Sequence, residues 1–289
     1  MQGAAGAGKG VFGNHVGDLF GPDHFVHFGN MKNFLSPFNG WQRKAMFVFV
    51  DECVGKRTQG GQAQIKAMLT EPETVVNEKQ QAMAMCQQRA NFVIATNDDW
   101  AVAADHDSRR YAMTKVATSR CGDKAYWTAL VAQWQNGGRE AFFDMLLRHP
   151  LPPGWTAEDA VSPRSKRLLF EQKMYSAPPF ERWIVHVVRQ GDFVQRPTTV
   201  SYRDSWSTAL LFPHERLYAY FDEWRRETRV VGKLGSDDGS SSLPAALHKL
   251  IGAEIHGGSI RLPSLADCRT LLAGYFCVPE STLLRETFE

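Results

Sequence analysis

The sequence lacks the features that mark membrane, secreted and zinc-binding proteins. Its uninterrupted apolar runs, such as the one over residues 45–50, are far too short to span a bilayer. The N-terminus is rich in glycine and has no apolar signal core. The five cysteines are odd in number, and no two of them form a C-x-x-C pair. We therefore interpret them as reduced thiols of a cytoplasmic protein, without disulfides, a zinc site or a membrane partner.

The chain also lacks a strong excess of either charge. It carries 33 basic and 31 acidic residues, for a net charge of +2, so any contact with nucleic acid has to come from local basic positions. Its 289 residues are enough for one large domain or two small ones. A hydrophobic content of 43% and a charged content of 22% are typical of a soluble globular protein.

The predicted elements indicate an α/β first half and a mostly helical second half. A helix is predicted after Lys9, strands in AMFVFVDE and NFVIATND, and a helix in GQAQIKAMLT between them. A hairpin is predicted just before the second of these strands, and a further strand after Tyr111. Beyond residue 122 the apolar spacing becomes helical. In LYAYFDEWRRE, for example, Leu217, Phe221 and Trp224 recur at i, i+4 and i+7, which predicts a core-facing stripe rather than a ligand surface.

The stretch GAAGAGKG, directly after Met1 and Gln2, has the G-x-x-x-x-G-K spacing of a Walker A phosphate loop. Small residues let backbone N–H groups approach a phosphate, and the helix that follows offers its positive N-terminus. A lysine at this position would meet the β- and γ-phosphates as a point charge. The same stretch also fits a glycine-rich leader without a fixed structure. The residues expected to bind the nucleotide are Gly3, Gly6, Ala7, Gly8, Lys9, Gly10 and Val11.

Three further motifs follow in order. The apolar strand FVFV ends in Asp51 and Glu52, which suits a carboxylate pair that holds Mg²⁺ and orients or deprotonates a water; a buried strand that exits into solvent fits equally. The strand before Asn97 places an amide where it could bond that water or a phosphate, although Asn is also an ordinary turn former. Arg109 and Arg110 fit a solvated turn or an arginine finger that reaches a neighbouring subunit.

These elements in this order resemble superfamily 3 helicases of the AAA+ class, above all the helicase domain of phage and plasmid primase–helicases of the D5-like type. The resemblance is specific from Gly3 to about Thr118 and looser through residues 165–193. It implies an α/β fold with a P-loop AAA+ core and a parallel sheet, followed by a mostly helical, winged-helix-like C-terminal region. The implied domains are an ATPase core over 1–140, a helical extension over 141–205 and the winged-helix-like region over 206–289.

The resemblance also implies roles for the motif residues. Lys9 would be the Walker A lysine, Asp51 and Glu52 the Walker B pair that binds Mg²⁺ with ATP, and Asn97 the sensor. An arginine finger would come from the neighbouring subunit of a homo-hexameric ring, on Arg109 or Arg110. In such helicases a helix and a hairpin carry basic residues that contact single-stranded DNA, and these positions match Lys66 and Lys79; a solvated turn lysine is the alternative for Lys79. The implied setting is the cytoplasm of a bacterial host, with the protein encoded by the bacterium or by a virus.

The chain departs from this family pattern at two places. Gly10 stands where a Ser or Thr hydroxyl normally completes the Mg²⁺ shell, and a water could fill that position. Met1 and Gln2 are too short to supply the strand that precedes a phosphate loop, so we expect two neighbouring strands to lose a ladder partner and the loop to lose its anchor. The expectation is a fragment of a longer protein, which would supply that strand and, upstream, a primase domain.

The leading hypothesis is therefore an ATP-dependent DNA helicase module. A second hypothesis is a non-catalytic DNA-binding or assembly fragment with a degenerate nucleotide site, which both departures favour. A third is a small-molecule kinase with a phosphate loop, which would need neither a projecting hairpin nor paired arginines.

Overall fold

The computed structural model describes residues 1–51, 59–102, 104–108, 111–156, 159, 161–193, 206–228 and 242–284. Three predicted site residues, Glu52, Arg109 and Arg110, lie outside the described residues. The chain forms two compact units. The first comprises Met1–Ala103 and Arg109–Leu168, and the second comprises Ala104–Ser108 and Leu169–Glu289.

The first unit is a mixed α/β structure. Its helices and strands, in chain order, are α1 (Lys9–Asp18), β1 (Phe25–Phe28), α2 (Met31–Phe34), a 3-10 turn (Gly40–Arg43), β2 (Phe47–Val50), α3 (Gln59–Thr70), β3 (Glu73–Val76), β4 (Ala84–Gln87), β5 (Asn91–Ile94), α4 (Lys124–Gln133) and α5 (Arg139–Arg148). The helix and strand predictions before residue 100 are confirmed.

A three-stranded parallel sheet in the order β1-β2-β5 forms the centre of this unit. Phe47 of β2 lies opposite Phe25 on one side and Asn91 on the other, and the register continues without a bulge to Val50. All four residues of β2 are buried, as expected for a parallel strand covered on both faces. Because the strands are parallel and in register, their carboxyl ends meet at one edge of the sheet.

The two faces of the sheet bury separate apolar clusters. Val48 and Val50 pack with Phe34 and with Ile65 and Met68 of α3. Phe47 and Phe49 face the other way and pack with apolar residues of and beside α1. Helix α1 approaches this face through glycines, since a side-chain carbon at Gly13 would lie 2.5 Å from the ring of Phe49. The glycines of α1 thus let the helix lie directly on the sheet.

The residues ahead of the glycine-rich loop pair with a chain segment on each side. Gln2 forms parallel bridges to Thr96, just beyond β5, and to Lys115. Its backbone N–H donates to the carbonyl of Thr114 at 2.8 Å, its carbonyl accepts from Val116 at 2.7 Å, and its buried side-chain amide donates to the carbonyls of Asp98 and Asp99. The expectation of a loop without an anchor is therefore wrong: two residues suffice to tie it between both neighbouring segments.

The predicted hairpin is present, and one predicted strand is not. Strands β3 and β4 pair antiparallel, with Val76 opposite Ala84 at the turn end. The strand predicted after Tyr111 reduces, within the described residues, to the single bridge at Lys115. In the part of the chain that the structure describes, this bridge joins Lys115 to Gln2.

Helices α4 and α5 are joined through Trp134–Gly138, with a kink at Asn136 and Gly137. The Trp134 ring stacks on His15 of α1 at 4.4 Å, and its indole N–H donates to Asp18 at 3.2 Å. The Phe143, Met145 and Leu147 side chains of α5 are exposed. Among these contacts, Trp134 therefore links the α4–α5 segment to α1.

The second unit has its own hydrophobic core. Its helices and strands are the later part of α6 (Pro163–Ser176), then α7 (Pro179–Gln190), β6 (Leu210–Pro213), α8 (His214–Glu227), α9 (Leu243–Ile251), β7 (Glu254–His256), β8 (Ser259–Leu262), α10 (Leu265–Tyr275) and α11 (Glu280–Leu283). Strands β6, β8 and β7 form an antiparallel sheet in that order. Leu217, Phe221 and Trp224 of α8 are buried in the core, which confirms the predicted stripe.

A buried lysine ties the short segment Ala104–Ser108 into the second unit. The ammonium of Lys173 donates to the carbonyls of His106 and Phe276, each at 2.7 Å, and burial lowers the pKa of this lysine. The His106 ring stacks on Tyr275 at 4.4 Å.

Among the described residues, no helix combines the length and the apolar composition needed to cross a bilayer.

Candidate functional site

The glycine-rich loop, Gly3–Gly8, turns sharply at two glycines into helix α1. Gly6 has φ of 75° and Gly8 has φ of 92°, a left-handed conformation that glycine adopts without steric cost. At Gly8 a second reason applies, because a side-chain carbon there would overlap the ring of Trp127. Gly8 directly precedes α1, so the loop ends where the unbonded N–H groups of a helix N-terminus begin.

Lys9 closes the loop on itself. Its side chain is buried, with 7% exposed, and its ammonium donates to the carbonyls of Gly3 at 2.7 Å and Ala4 at 2.8 Å. A third bond, of 2.7 Å, reaches the side-chain oxygen of Asn97. An ammonium has three N–H donors, and here all three bond to the protein. Lys9 therefore links the start of the loop to the segment that follows β5.

The sequence-predicted residues Lys9, Asp51 and Asn97 line one open cavity of about 410 Å³. They meet there because β2 and β5 end at the same edge of the sheet, and the loop leaves Gln2 at that edge. This is the usual place for ligands in open α/β sheets. The residues that line the cavity are Ala5, Gly6, Gly8, Lys9, Gly10, Val11, Asp51, Asn97 and Trp127.

Two of the predicted nucleotide-binding residues do not belong to this lining. Gly3 contributes the carbonyl that accepts from Lys9, and Ala7 is buried, with its N–H donating to Ala4 at 3.3 Å. Both residues therefore support the loop through hydrogen bonds within it and do not line the cavity. Conversely, Ala5 and Trp127 line the cavity and were not predicted. Ala5 lies within the glycine-rich motif. Trp127 is distant from that motif in sequence, and its surroundings indicate only an apolar residue of a helix.

Asp51 lies next to the start of α1. It directly follows β2, and its backbone N–H donates to the carbonyl of Phe28 at 2.8 Å, which fixes it to β1. A side-chain carbon at Gly10 would lie 3.6 Å from a carboxylate oxygen of Asp51, an ordinary van der Waals distance. Carboxylate oxygens, waters and phosphate oxygens are the ligands that Mg²⁺ takes. The carboxylate of Asp51 could therefore contribute one ligand to a Mg²⁺ ion at this edge of the sheet.

A turn at Arg120–Asp123 holds Trp127 over the loop. The carboxylate of Asp123 accepts from the N–H of Tyr126 at 3.0 Å and caps α4. This backbone bond, together with the bond from Arg120, lowers the pKa of Asp123. The indole N–H of Trp127 donates to the carbonyl of Arg120 at 2.8 Å. The ring is therefore anchored by its polar edge while it packs on Gly8.

The two lysines predicted to contact DNA lie away from the cavity lining. Lys66 is exposed on α3. Lys79 is exposed at the β3–β4 turn, with its ammonium 5.3 Å from the centre of the Phe38 ring. The hairpin is braced by Glu78, which pairs with Arg43 at 3.2 Å, and it exposes Met83 and Met85. Its turn therefore presents one cation and an apolar edge to solvent.

Comparison with known proteins gives a partial family match and a shared fold. Residues 1–110 match a family described as "Family of unknown function (DUF5906)". Comparison with curated proteins gives no match. An A form apo structure of the NrS-1 C terminal region is similar with a TM-score of 0.61 and 14% identity, over 91% of this chain. A second apo structure of that region has a TM-score of 0.58 and 15% identity, also over 91%.

These likenesses show the fold. The chain spans about 65% of the length of the two NrS-1 chains. The match covers nine-tenths of this chain, so both units contribute to it, and at 14–15% identity it shows the fold alone.

Proposed function

We propose that this chain is an ATP-dependent DNA helicase module of a replication protein that assembles as a ring on single-stranded DNA. The observation that carries the proposal is the convergence of Lys9, Asp51 and Asn97 on one cavity beside the glycine-rich loop, at the carboxyl edge of the parallel sheet. The fold shared with the NrS-1 C terminal region supports it, as does the hairpin between α3 and β5.

The phosphates of ATP would lie between the loop and the start of α1. The first N–H groups of α1 have no intrahelical acceptor and point out of the helix end, where the helix dipole favours negative charge. Gly6 and Gly8 keep this surface free of side chains. Lys9 would exchange one or more of its carbonyl partners for phosphate oxygens, since all of its donors are engaged without a ligand.

Asp51 and Asn97 would divide the remaining roles. Mg²⁺, when bound, would offset phosphate charge, and Asp51 is placed to hold it beside Gly10. Asn97 already bonds Lys9, so release of that bond would turn its amide toward the γ-phosphate or the attacking water. Glu52, next in sequence, is the proposed group that orients this water, and Arg109 or Arg110 of a neighbouring subunit would complete the site.

DNA would be contacted at two places. Lys66 and Lys79 would bind backbone phosphates without reading sequence. In the second unit, the order α7, β6, α8, α9, β7, β8, with β8 between the other two strands, is the order of a winged helix. We propose that this module, which begins at α7 because its core includes Trp183 and Ile184, binds duplex DNA or positions the ring.

One observation favours a second function. Lys9 is satisfied by protein oxygens, and Gly10 brings no hydroxyl to the metal position. A chain with a closed loop and a weakened metal site could serve as a non-catalytic DNA-binding or assembly module. It would bind DNA and show no thermal shift with ATP and Mg²⁺.

The decisive measurement is ATP hydrolysis by the full chain with Mg²⁺, with and without single-stranded DNA, beside the Glu52→Gln variant. We expect hydrolysis that DNA stimulates, and loss of turnover with retained ATP binding in the variant, because only the water-orienting carboxylate is removed. Equal activity of wild type and variant would count against the proposed site. DNA binding without any ATP binding would establish the second function instead.

The Gly10→Ser variant is expected to bind Mg²⁺·ATP more tightly, by roughly 3- to 10-fold at low Mg²⁺. The position has room for a side chain, since an added carbon makes only ordinary contact with Asp51, and the new hydroxyl would replace a water in the metal shell. Titration of ATP at several Mg²⁺ concentrations measures the effect, with Gly10→Ala as the matched control. Equal affinities of the serine and alanine variants at every Mg²⁺ concentration would contradict the magnesium position.

A further inference from the structure

We propose that Trp127 is a base-stacking residue of the candidate site, whose indole ring forms the wall against which the nucleoside of the bound nucleotide packs. The inference rests on the proposed nucleotide-binding function and adds the residue that recognises the nucleoside end. Among the described residues that line the cavity, Trp127 alone is aromatic; the others are small, or are the charged and polar groups already assigned to phosphate and metal.

The ring is held in place before any ligand arrives. Its N–H is used by the carbonyl of Arg120 at 2.8 Å, and the Tyr126 ring packs edge-on against it with centroids 5.0 Å apart. Its far edge lies against the backbone of Gly8, where a side chain would overlap it. A ring fixed at its polar edge and half-buried loses little freedom when a ligand stacks on it, which is the condition for efficient aromatic recognition.

The chemistry of the cavity is divided between its two ends. At one end, Lys9 supplies a cation and the N–H groups of the loop and of the start of α1 supply donors, both of which suit phosphates. At the other end, the indole of Trp127 supplies an apolar, polarisable surface that suits a flat heterocycle. Stacking of a base on an aromatic side chain tolerates any base, because every base has a π face. If Trp127 is the stacking surface, we therefore expect ATP and GTP to bind with similar affinities.

A structural alternative is that Trp127 only braces the loop by covering Gly8. The two roles differ in their response to ligands that lack a base. Loss of a brace would weaken every ligand of the loop, including inorganic tripolyphosphate. Loss of a stacking surface would weaken ATP and leave tripolyphosphate unchanged. Trp127→Leu keeps an apolar group over Gly8 and removes the aromatic face, while Trp127→Phe keeps a smaller aromatic face.

The test is calorimetric titration of the full-length wild type and variants with ATP, GTP and tripolyphosphate, each with Mg²⁺. We expect Trp127→Leu to bind ATP and GTP roughly 10-fold more weakly and tripolyphosphate within 2-fold of wild type, and Trp127→Phe to stay within about 3-fold for all ligands. Trp134→Leu is the matched control, because Trp134 stacks on His15 outside the cavity lining, and it should bind ATP as wild type does.

The outcomes separate this inference from the function on which it rests. Equal weakening of ATP and tripolyphosphate by Trp127→Leu, or unchanged ATP affinity, overturns the stacking role while the nucleotide site stands. Wild-type chain that binds neither ATP nor tripolyphosphate overturns the proposed function and this inference together. Selective loss of ATP and GTP affinity supports both.

Discussion

Replacing Lys9 with methionine is expected to weaken ATP binding by roughly 100-fold or more. The ammonium is the buried cation of the cavity, and hydrogen bonds to charged groups contribute about 1.5–3 kcal/mol each, of which every 1.4 kcal/mol is tenfold in affinity. Methionine has a similar length and no charge, so the effect reports the lost donor rather than a cavity. Competition against a fluorescent ATP analogue measures the affinity directly.

The same substitution should also lower the free energy of unfolding of the ligand-free protein. Methionine leaves the carbonyls of Gly3 and Ala4 without the donor that Lys9 supplies, at a cost of roughly 1–3 kcal/mol. Lys44→Met is the control, since Lys44 is exposed and lies outside the cavity lining; its affinity and stability should match wild type. A folded Lys9→Met chain with ATP affinity within threefold of wild type would exclude Lys9 as the phosphate-binding lysine.

Trp183→Ala is expected to lower the free energy of unfolding of the second unit by about 3–5 kcal/mol, the usual cost of truncating a buried tryptophan. Trp183 lies on α7 with 1% of its surface exposed. Its ring packs against Phe221 at 5.7 Å and Phe193 at 6.2 Å between centroids. Alanine would leave a cavity where α7, α8 and the segment after α7 meet, and the large neighbouring rings cannot all move in to fill it.

Urea unfolding followed by helical circular dichroism measures this loss, because the second unit is rich in helices. Trp183→Phe, which keeps an aromatic ring in place, should cost about half as much. Trp155→Ala is the matched control, as Trp155 is 39% exposed, and surface substitutions usually stay within about 0.5 kcal/mol. If Trp183→Ala and Trp155→Ala unfold at the same urea concentration, Trp183 does not organise this core.

The Lys9 variant tests the chemistry of the cavity, and the Trp183 variant tests the core of the second unit. For the cavity, the competing hypothesis is a degenerate nucleotide site. The closed arrangement of Lys9 bears on that choice, because an ammonium with three oxygen partners must break at least one bond to reach a phosphate. In a working site, a hydrogen bond from the Lys9 ammonium to a negatively charged phosphate oxygen would replace the lost bond. In a degenerate site, Lys9 would keep its present partners.

Local sequence pattern predicted the elements that carry the site. The glycines before Lys9, the apolar run ending at Asp51 and the strand before Asn97 each have a periodicity or composition that favours the element found there. The meeting of their three polar side chains followed from parallel strands ending at one edge. Prediction was weaker where an element is short: β6 (Leu210–Pro213) was not foreseen, because four residues give too little pattern to distinguish strand from loop.

The sequence by itself determined the strands, the glycine-rich turn and the helix that follows it, since these depend on side-chain alternation and on backbone freedom at glycine. Only the tertiary structure decided three things: the pairing of Gln2 with both Thr96 and Lys115, the closure of Lys9 onto Asn97, and the placement of Trp127 on Gly8. Each joins residues far apart in the chain. Such contacts are chosen by how packed elements meet in space, and local spacing along the sequence carries no record of that.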